Sequence, residues 1–343
     1  KLKVSKTIEI KNKKIGLNEK VFVIAEVGIN HDGNFDTCQK MIIAASNAGA
    51  DAVKLQIVEP EESYVTGTDS YIEFKNKALT TFELEKLMDV SRRLNIILFA
   101  TPGDFSSVRL MKNLGMPAVK ISSGLLTNTP LIKAATDLSV PILISTGMGH
   151  EAEVEQAISV CKKNGVSDIA LLHCISLYPS PDSKVNLRRI WKKEDRFNLI
   201  VGYSDHTLDD LACTSAVAMG ATIIEKHFTL DSTKPGADHK ISMEPKAFGR
   251  MVKKIRRITN MRGDLSLDPI DEENIFRAQR HRCLVARCDI GAGEVFTAEN
   301  IALKRLKAES TGLPANAYEK VLGLIANKKI PLNTPIQTND LGL

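Results

Sequence analysis

From residue 21 onward, short apolar runs alternate along the chain with longer amphipathic segments. Each run has the β-branched and aliphatic content of a buried strand, and the segments between runs have apolar positions at helical spacing. Strands that alternate with helices predict parallel pairing through crossover connections. The apolar runs are VFVIAEVG, AVKLQIV, IILFATP, AVKISSG, PILISTG, IALLHCI, LIVGYSD and TIIEKHF.

Eight strand and helix pairs are the number that closes a (β/α)8 TIM barrel, and we predict this α/β fold. A doubly wound open sheet is the structural alternative. It is disfavoured because no run is followed by a Gly-rich nucleotide turn of the GxGxxG kind. Several helical segments end in Gly or Asn, which is a helix stop signal. The helical segments identified are TCQKMIIAASNAG, TFELEKLMDVSRRLN, DFSSVRLMKNLG, PLIKAATDL, EAEVEQAISVCKKNG, LDDLACTSAVAMG and PKAFGRMVKKIRRITNMRG.

The barrel pattern spans residues 21–263, and other patterns flank it. Residues 1–20 are rich in lysine, which predicts a solvated N-terminal arm or edge strand, since lysine commonly guards exposed edges. Residues 264–280 are polar and predict a linker. Residues 281–343 change to short strands and turns, which predicts a small all-β domain.

Two segments of this last domain echo each other, DIGAGEVFTAENI and KIPLNTPIQTNDL. The apolar spacing is kept when the two are aligned, so we expect a repeated structural unit. A domain of about 60 residues has little core of its own and is expected to lean on a neighbour. The aligned pairs are Ile290 with Ile330, Phe296 with Ile336, and Ile301 with Leu341.

Polar residues concentrate at the C-terminal ends of the predicted strands. In a parallel barrel these ends share the face that carries the active site. A lone lysine there can be a snorkelling side chain, and a lone histidine a hydrogen-bonded core residue. Eight strands that all end this way favour a functional site. The residues are Glu26, Asn30, His31, Lys54, Gln56, Thr101, Lys120, Ser122, Ser123, Ser145, Thr146, His173, Ser176, Tyr178, Ser204, Asp205, His206, Glu225, Lys226 and His227.

Strand alternation sorts some of these residues by face. Lys54 and Gln56 lie two residues apart and therefore share one face of their strand, while the residues between them face the helices. The same holds for Ser204 with His206 and for Glu225 with His227. We also expect the charged triplet Glu225, Lys226 and His227 as a whole to point into the barrel mouth.

Two kinds of chemistry are indicated at this mouth. His206 and His227 end adjacent strands, and two imidazoles with open positions suit a Mn²⁺ or Mg²⁺ Lewis acid better than a closed zinc site. The cations and hydroxyls predict an anion hole for a phosphate and a carboxylate. A Schiff-base aldolase with Lys120 or Lys54 as nucleophile is the alternative. The anion-hole residues are Lys54, Lys120, Thr101, Ser123, Ser145 and Ser204.

Composition narrows the class of partner. The formal charge of +5 over 343 residues suits an anionic small substrate and falls short of the basic face of a nucleic-acid binder. The sequence shows no signal-peptide pattern and no apolar run long enough to span a bilayer, which predicts a cytoplasmic protein. Six cysteines form no CxxC pair, and four of them lie in apolar segments as expected core residues: Cys38, Cys161, Cys174 and Cys213.

Through these strand-end residues and the stretches around them, the sequence resembles a known family, the sialic acid (N-acetylneuraminate) synthases, which include legionaminic and pseudaminic acid synthases. The similarity runs from about residue 20 to the end, where the last 60 residues resemble that family's antifreeze-like (SAF) domain. The resemblance implies a homodimeric barrel enzyme that condenses phosphoenolpyruvate with an N-acetylated hexosamine and releases phosphate by C–O cleavage. The matching stretches are IAEVGINHDGN, GADAVKLQ, KISSG, ILISTGM, LLHCISLYPSP, VGYSDHT, IEKHFTLD and PGADHKISMEP.

The resemblance also implies roles for individual residues. His206 and His227 would hold Mn²⁺ or Mg²⁺. Arg305 would reach the sugar amide from the SAF domain of the partner protomer, in a domain-swapped dimer. Catalytic roles fall to Glu26, Lys54, Lys120 and Glu225, phosphoenolpyruvate binding to Lys54, Thr101, Lys120, Ser123, Ser145 and Ser204, and sugar contacts to Glu26, Gln56, Tyr178 and Asp238.

The chain departs from the family pattern at Leu125, where most relatives carry a carboxylate thought to help the water or proton steps. Glu26, Glu225 or Asp205 would have to cover that role. N-acetylmannosamine is the default sugar, and a diacetamido hexose of the legionaminic or pseudaminic branch is the alternative. A catalytically degenerate protein that binds sugar or phosphoenolpyruvate is a hypothesis from another class, motivated by Leu125.

Overall fold

The computed structural model describes residues 6–236, 238–263 and 266–342, without the side chains of residues 278 and 279. The chain divides into two compact units, Lys1–Gly263 and Asp264–Leu343. Each unit is described by itself. Within the described ranges, no helix is long and apolar enough to cross a membrane.

The first unit is built on a closed barrel of eight parallel strands, with a two-stranded hairpin before it. The last barrel strand pairs with the first, so the sheet has no open edge, and the doubly wound alternative is wrong. The hairpin is β1 (Ile8–Ile10) and β2 (Lys13–Ile15), and the barrel strands are β3 (Phe22–Gly28), β4 (Ala52–Ile57), β5 (Ile97–Pro102), β6 (Val119–Ile121), β7 (Ile142–Ser145), β8 (Ile169–Cys174), β9 (Ile200–Asp205) and β10 (Ile223–His227).

Helices surround this barrel and bury their apolar faces against the outward residues of the strands. Val53, Leu55 and Ile57 lie in the core shared with the helices, as the alternation of β4 predicts. The helices are α1 (Phe35–Asn47), α2 (Pro60–Ser63), α3 (Asp69–Lys77), α4 (Thr81–Arg93), α5 (Phe105–Asn113), α6 (Thr129–Thr136), α7 (Glu151–Lys163), α8 (Asp182–Val185), α9 (Arg189–Phe197), α10 (Leu211–Ala218) and α11 (Pro245–Met261).

Local sequence signals account for several helix starts. Thr80 and Glu83 form a reciprocal capping box at the start of α4, and the side chain of Asn34 caps α1. Helix α9 was missed in the sequence because its segment, RIWKKEDRF, is mostly charged and buries only Ile190. The short helices α2 and α3, inserted between β4 and β5, were missed as well.

The N-terminal segment, predicted as a solvated arm or edge strand, forms a hairpin with one buried face. Lys6, Lys11, Lys14 and Lys20 are exposed, Lys13 is half-buried and pairs with Asp51 at 2.8 Å, and Ile8, Ile10 and Ile15 are buried. These isoleucines pack with inward residues at the N-terminal ends of the barrel strands, including Phe22 and Ile97. The hairpin therefore closes the end of the barrel opposite the predicted active-site face.

The second unit has its own small core and antiparallel strand pairs. Ile290 and Ile330 exchange backbone hydrogen bonds of 2.9 and 2.8 Å, and both lie in that core with Phe296, Ile301 and Ile336. The aligned echo positions therefore share one environment. The elements are α12 (Asp271–Arg280), β11 (Cys283–Ala286), β12 (Ile301–Lys304), α13 (Tyr318–Val321), β13 (Ile325–Ala326) and β14 (Leu341–Gly342). Helix α12 lies in the predicted linker, so most of that stretch is helical.

Candidate active site

A cavity of about 360 Å³ opens at the C-terminal ends of the barrel strands. Its walls carry most of the residues that the sequence predicted for the mouth. They come from strands on all sides of the ring, because parallel strands bring their C-terminal ends to one face. The lining residues are Glu26, Lys54, Gln56, Lys120, Ser122, Ser123, Gly124, Ser145, Met148, Cys174, Ser176, Tyr178, Ser204, His206, Glu225, His227 and Asp238.

Two lysines and two glutamates form a buried charge network at the bottom of this pocket. Lys54 Nζ lies 2.7 Å from Glu26 Oε2 and 3.8 Å from Glu225 Oε2. Lys120 Nζ donates to Glu225 Oε1 at 2.9 Å, and the hydroxyl of Ser204 donates to the same oxygen at 2.8 Å. Each charge is thus offset by a neighbour, which is what burial of so many ionised groups requires.

The two glutamates differ in proton affinity. Burial raises the pKa of Glu26 to about 7, although the nearby ammonium of Lys54 opposes this. Burial also favours the neutral form of Glu225, but Lys120 and Lys54 together outweigh it and hold its pKa at about 2. Glu26 can therefore exchange a proton near neutral pH, while Glu225 is a permanent anion.

The lysines are better suited to binding anions than to forming a Schiff base. Burial disfavours the charge of Lys54, but Glu225 and Glu26 outweigh it and raise its pKa above the ordinary value. Burial lowers the pKa of Lys120, and the ion pair with Glu225 opposes that change. Lys54 is therefore held charged, and the carboxylate 2.9 Å from Lys120 stabilises the charged form of that amine against burial, whereas a Schiff-base nucleophile must be neutral.

His206 and His227 lie side by side, with ring centroids 5.4 Å apart. His206 Nδ1 donates to the carbonyl of Ile175 at 2.8 Å, so the neutral ring would carry its lone pair on Nε2. Burial lowers the pKa of His206, but the contact with Cys174 outweighs it and raises the pKa above the ordinary value. His227 Nδ1 is buried without a hydrogen-bond partner, and Asp238 Oδ2 is 3.8 Å from it. Burial, and then the neighbouring His206, lower the pKa of His227 well below its usual value, so this imidazole is neutral.

This donor set fits an open divalent-metal site and no closed one. Among the described residues, no group of three or more His, Cys, Asp and Glu side chains is arranged to hold a metal ion. Two imidazoles, of which His227 is neutral and has an unsatisfied buried nitrogen, could supply ligands while other positions stay available to substrate or water.

The charged triplet at the end of β10 divides between two sides of the sheet, which corrects the expectation that it points into the mouth. Glu225 and His227 face the pocket, but Lys226 is fully buried on the outer side and binds Asp205 at 2.6 Å. Tyr203 and Thr207 donate further hydrogen bonds to Asp205. Asp205 therefore cannot replace the carboxylate missing at Leu125.

The predicted anion-binding hydroxyls fall into two groups, one that lines the pocket and one that lies behind it. Ser123, Ser145 and Ser204 line the pocket, and Ser145 Oγ is buried without a hydrogen-bond partner. Thr101 lies behind them, where its hydroxyl accepts a hydrogen bond of 3.0 Å from Lys54 Nζ. Thr101 therefore orients Lys54 and is not part of the pocket wall.

Three lining residues were missed by sequence reasoning. Cys174 was taken for a core residue, but its sulfur is 3.8 Å from His206 Nδ1 in the pocket wall. Alternation along β8 could have found it, because Cys174 lies two residues after the inward Leu172. No sequence signal marks Gly124 or Met148.

The predicted sugar-contacting residues lie in the same pocket. The ring of Tyr178 packs on His206 with centroids 4.1 Å apart and is 54% exposed. Gln56 Nε2 donates to Glu26 Oε1 at 3.4 Å, and Asp238 completes this side. These side chains surround the two imidazoles, so a ligand that reaches the imidazoles would also meet these polar groups.

Comparison with known proteins identifies the family. The sequence model of the NeuB family matches residues 41–266, well over half of the chain. The chain belongs to the NeuB family. The SAF domain model matches residues 281–342, so the resemblance seen in the sequence is confirmed at both ends.

Individual members of the NeuB family are similar over nearly the whole chain. An N,N'-diacetyllegionaminic acid synthase of Campylobacter jejuni is 37% identical over 90% of this chain and 97% of its own. An uncharacterized protein of Methanocaldococcus jannaschii is 38% identical, with 94% of each chain covered. The crystal structure of N-acetylneuraminic acid synthetase from Leptospira borgpetersenii, in complex with citrate, is 35% identical with a TM-score of 0.77, and the match covers 82% of this chain and 99% of that one. Acid synthases are enzymes, so this is an enzyme family.

Leu125 and Arg305, which the sequence analysis singled out, both lie in the described part of the structure. Leu125 ends a 3-10 turn, Ser123–Leu125, and its side chain packs against the hydrophobic core of the barrel unit. The pocket carboxylates are Glu26, Glu225 and Asp238, none of which comes from that turn. Arg305 is exposed directly after β12 in the second unit, and its role at the sugar stays a prediction.

Proposed function

We propose that this NeuB-family enzyme condenses phosphoenolpyruvate with the open-chain aldehyde of an N-acetylated hexosamine. The products are a nonulosonic (sialic-type) acid and inorganic phosphate, which leaves with cleavage of its C–O bond. The observation that carries the proposal is one pocket holding two buried ammonium groups beside two imidazoles. The ammonium groups suit a phosphate-bearing anion, and the imidazoles suit a metal that activates an aldehyde.

Phosphoenolpyruvate would bind against Lys54 and Lys120, with the serine hydroxyls of the same pocket. The buried hydroxyl of Ser145 is available to a substrate oxygen because it has no partner in the protein. Both lysines now face carboxylates, which would repel an incoming anion. Glu26, with a pKa of about 7, can take up a proton near neutral pH and thereby lower that repulsion.

In the proposed reaction, Glu26 would serve the proton transfer and Lys54 and Lys120 the departure of phosphate. Carbon C3 of phosphoenolpyruvate bonds to the aldehyde carbon, which leaves positive charge at C2 and negative charge on the former aldehyde oxygen. Water adds at C2 and loses a proton, and Glu26 can pass that proton to the alkoxide. The tetrahedral C2 centre then expels phosphate: its C–O bond breaks, the C2 hydroxyl becomes the ketone, and the hydroxyl proton leaves with the phosphate, whose charge Lys54 and Lys120 stabilise. The proton is conserved, and Glu26 ends as it began.

His206 and His227 are the residues that would hold Mn²⁺ or Mg²⁺, and the ion would supply Lewis-acid activation of the sugar aldehyde. We therefore expect EDTA to abolish phosphate release and added manganese to restore it. EDTA already saturated with manganese is the control, since it adds chelator without removing metal. Full activity in metal-free protein would remove the metal from the proposal.

The sugar is N-acetylmannosamine or a diacetamido hexose. The first is supported by similarity to the N-acetylneuraminic acid synthetase of Leptospira borgpetersenii, and the second by similarity to the diacetyllegionaminic acid synthase of Campylobacter jejuni. Purified protein with phosphoenolpyruvate, manganese and a panel of both sugar types decides between them by the rate of phosphate release.

The same assay tests the hypothesis of a degenerate binding protein, which Leu125 motivates. No phosphate release with any sugar, together with measurable binding of sugar or phosphoenolpyruvate, would favour that alternative. The intact set of Lys54, Lys120, His206 and His227 supports catalysis, since loss of activity seldom leaves a whole site in place.

Arg305 gives a test of the domain-swapped homodimer. Arg305→Ala is expected to raise KM for the sugar by about tenfold or more without changing KM for phosphoenolpyruvate, because a charged hydrogen bond contributes ~1.5–3 kcal/mol. Lys307→Ala, an exposed cation two residues away, is the control.

Mixed dimers make the test decisive. Co-expressed Arg305→Ala and Lys120→Met chains are each expected to be impaired alone. In a swapped heterodimer, the Lys120→Met chain supplies an intact Arg305 to the barrel with an intact Lys120, so activity returns. No recovery in purified heterodimers would show that each SAF domain serves its own barrel or none.

A further inference from the structure

A second cavity, of about 610 Å³, opens beside the candidate active site. It lies between the first turn of α7 and helix α9, and it shares Met148, Cys174 and Ser176 with the active-site pocket. These three side chains form the partition between two adjoining spaces. No step of the proposed reaction uses the second one.

The wall formed by α9 is strongly basic. Its four cations recur at spacings of three, four and seven residues, which places them on one helix face. Arg196 is already engaged, because it binds Glu151 at 2.5 Å and Glu155 at 3.0 Å. Glu151 also lines the cavity, so four basic residues against one acidic residue leave a formal excess of three positive charges. The four cations are Arg189, Lys192, Lys193 and Arg196.

The other three cations have no acidic partner within 4.0 Å in the described part of the chain. Lys193 is half-buried, and burial together with the nearby charge of Arg189 lowers its pKa below the ordinary value. Partial burial of like charges without a counterion costs free energy. An anion in the cavity would offset that cost.

We propose that this cavity is a second oxyanion site, which takes a phosphate group against Arg189 and Lys193. The excess of positive charge suits a dianion better than a single carboxylate, and the arginine fork matches phosphate geometry. Two sources of that group fit the space. One is inorganic phosphate, which the proposed reaction would release in the adjoining active-site pocket. The other is a phosphate monoester whose organic part contacts Val154 and Phe197.

Site-specific protection of Lys193 tests the proposal. The intact protein is acetylated with an N-hydroxysuccinimide ester at constant ionic strength, in chloride, inorganic phosphate or glucose 6-phosphate, and each lysine is followed by peptide mass spectrometry. At about ten times the dissociation constant, mass action predicts a roughly tenfold slower modification of Lys193. Lys162, exposed at the far end of α7, is the internal control and should react equally in all buffers.

The pattern of protection identifies the source. Slowing by inorganic phosphate alone assigns the site to the free ion, and slowing by glucose 6-phosphate alone assigns it to organic phosphates. Slowing by both assigns it to the phosphate group from either source. An unchanged rate at Lys193 with both probes would overturn the proposal.

Arg189→Gln separates this cavity from the active site, because Arg189 does not line the active-site pocket. The variant is expected to lose the protection of Lys193. Its unfolding midpoint should be equal to or above that of the wild type, since Arg189 is exposed, has no ion-pair partner in the described ranges and repels Lys193. Undiminished protection in this variant would mean that phosphate acts from elsewhere. Since nothing in this experiment requires turnover, its outcome is independent of the proposed reaction.

Discussion

Lys120→Met is expected to lower kcat/KM for phosphate release by about 10²–10³, the usual cost of removing one preorganised donor from a developing oxyanion. The lysine is buried in the pocket, with its Nζ 2.9 Å from Glu225 Oε1, and methionine cannot supply its positive charge or its hydrogen bonds to the phosphate. The measurement is steady-state phosphate release with the sugar identified by the substrate panel.

Two further variants make that result interpretable. Lys112→Met removes an exposed lysine from the end of α5 and should keep wild-type kinetics. Lys120→Met/Glu225→Gln also removes the buried carboxylate that the single variant leaves without its nearer ammonium partner, and should recover thermal stability without recovering activity. If the double variant regained activity as well, Lys120 would only neutralise Glu225 and would have no role at the substrate.

Lys226→Met is expected to destabilise the protein by ~3–5 kcal/mol, which is the cost of breaking one partner out of a buried ion pair. Lys226 and Asp205 are both fully buried, and their contact of 2.6 Å joins β10 to β9 on the side away from the pocket. Urea denaturation of variant and wild type measures the difference.

The second substitution Asp205→Asn provides the control for this effect. It removes the orphaned charge but keeps groups for the hydrogen bonds from Tyr203 and Thr207, so the double variant should recover part of the lost stability. If Lys226→Met kept wild-type stability but lost activity, the result would contradict the structure and would indicate that Lys226 faces the pocket.

Lys54 and Lys226 show where sequence reasoning succeeded and where it failed. Alternation placed Lys54 and Gln56 on the inward face correctly, because every second side chain of a strand points the same way. The same rule puts Lys226 outward, since it stands between Glu225 and His227. Treating the triplet as one functional unit overrode the rule and gave the wrong face.

Other differences arise from contacts between distant segments. The alternating Ile8, Glu9 and Ile10 indicate a strand with one buried face, but the barrel end that buries it is formed by residues far along the chain. Helix α9 carries too few apolar residues for its periodicity to stand out. The barrel itself was predictable because each of its strands is a separate, locally recognisable apolar run.

The N-terminal hairpin bears on the order in which the two proposed substrates bind. Ile8, Ile10 and Ile15 pack with inward strand residues such as Phe99 and Leu172, which fill the barrel below the pocket, so ligands reach the pocket from the C-terminal ends of the strands. Lys120 at the bottom of the pocket is buried, whereas Tyr178 at the pocket entrance is 54% exposed. Under the proposed reaction we therefore expect phosphoenolpyruvate to bind before the sugar, so that substrate addition is sequential and ordered, with the sugar second.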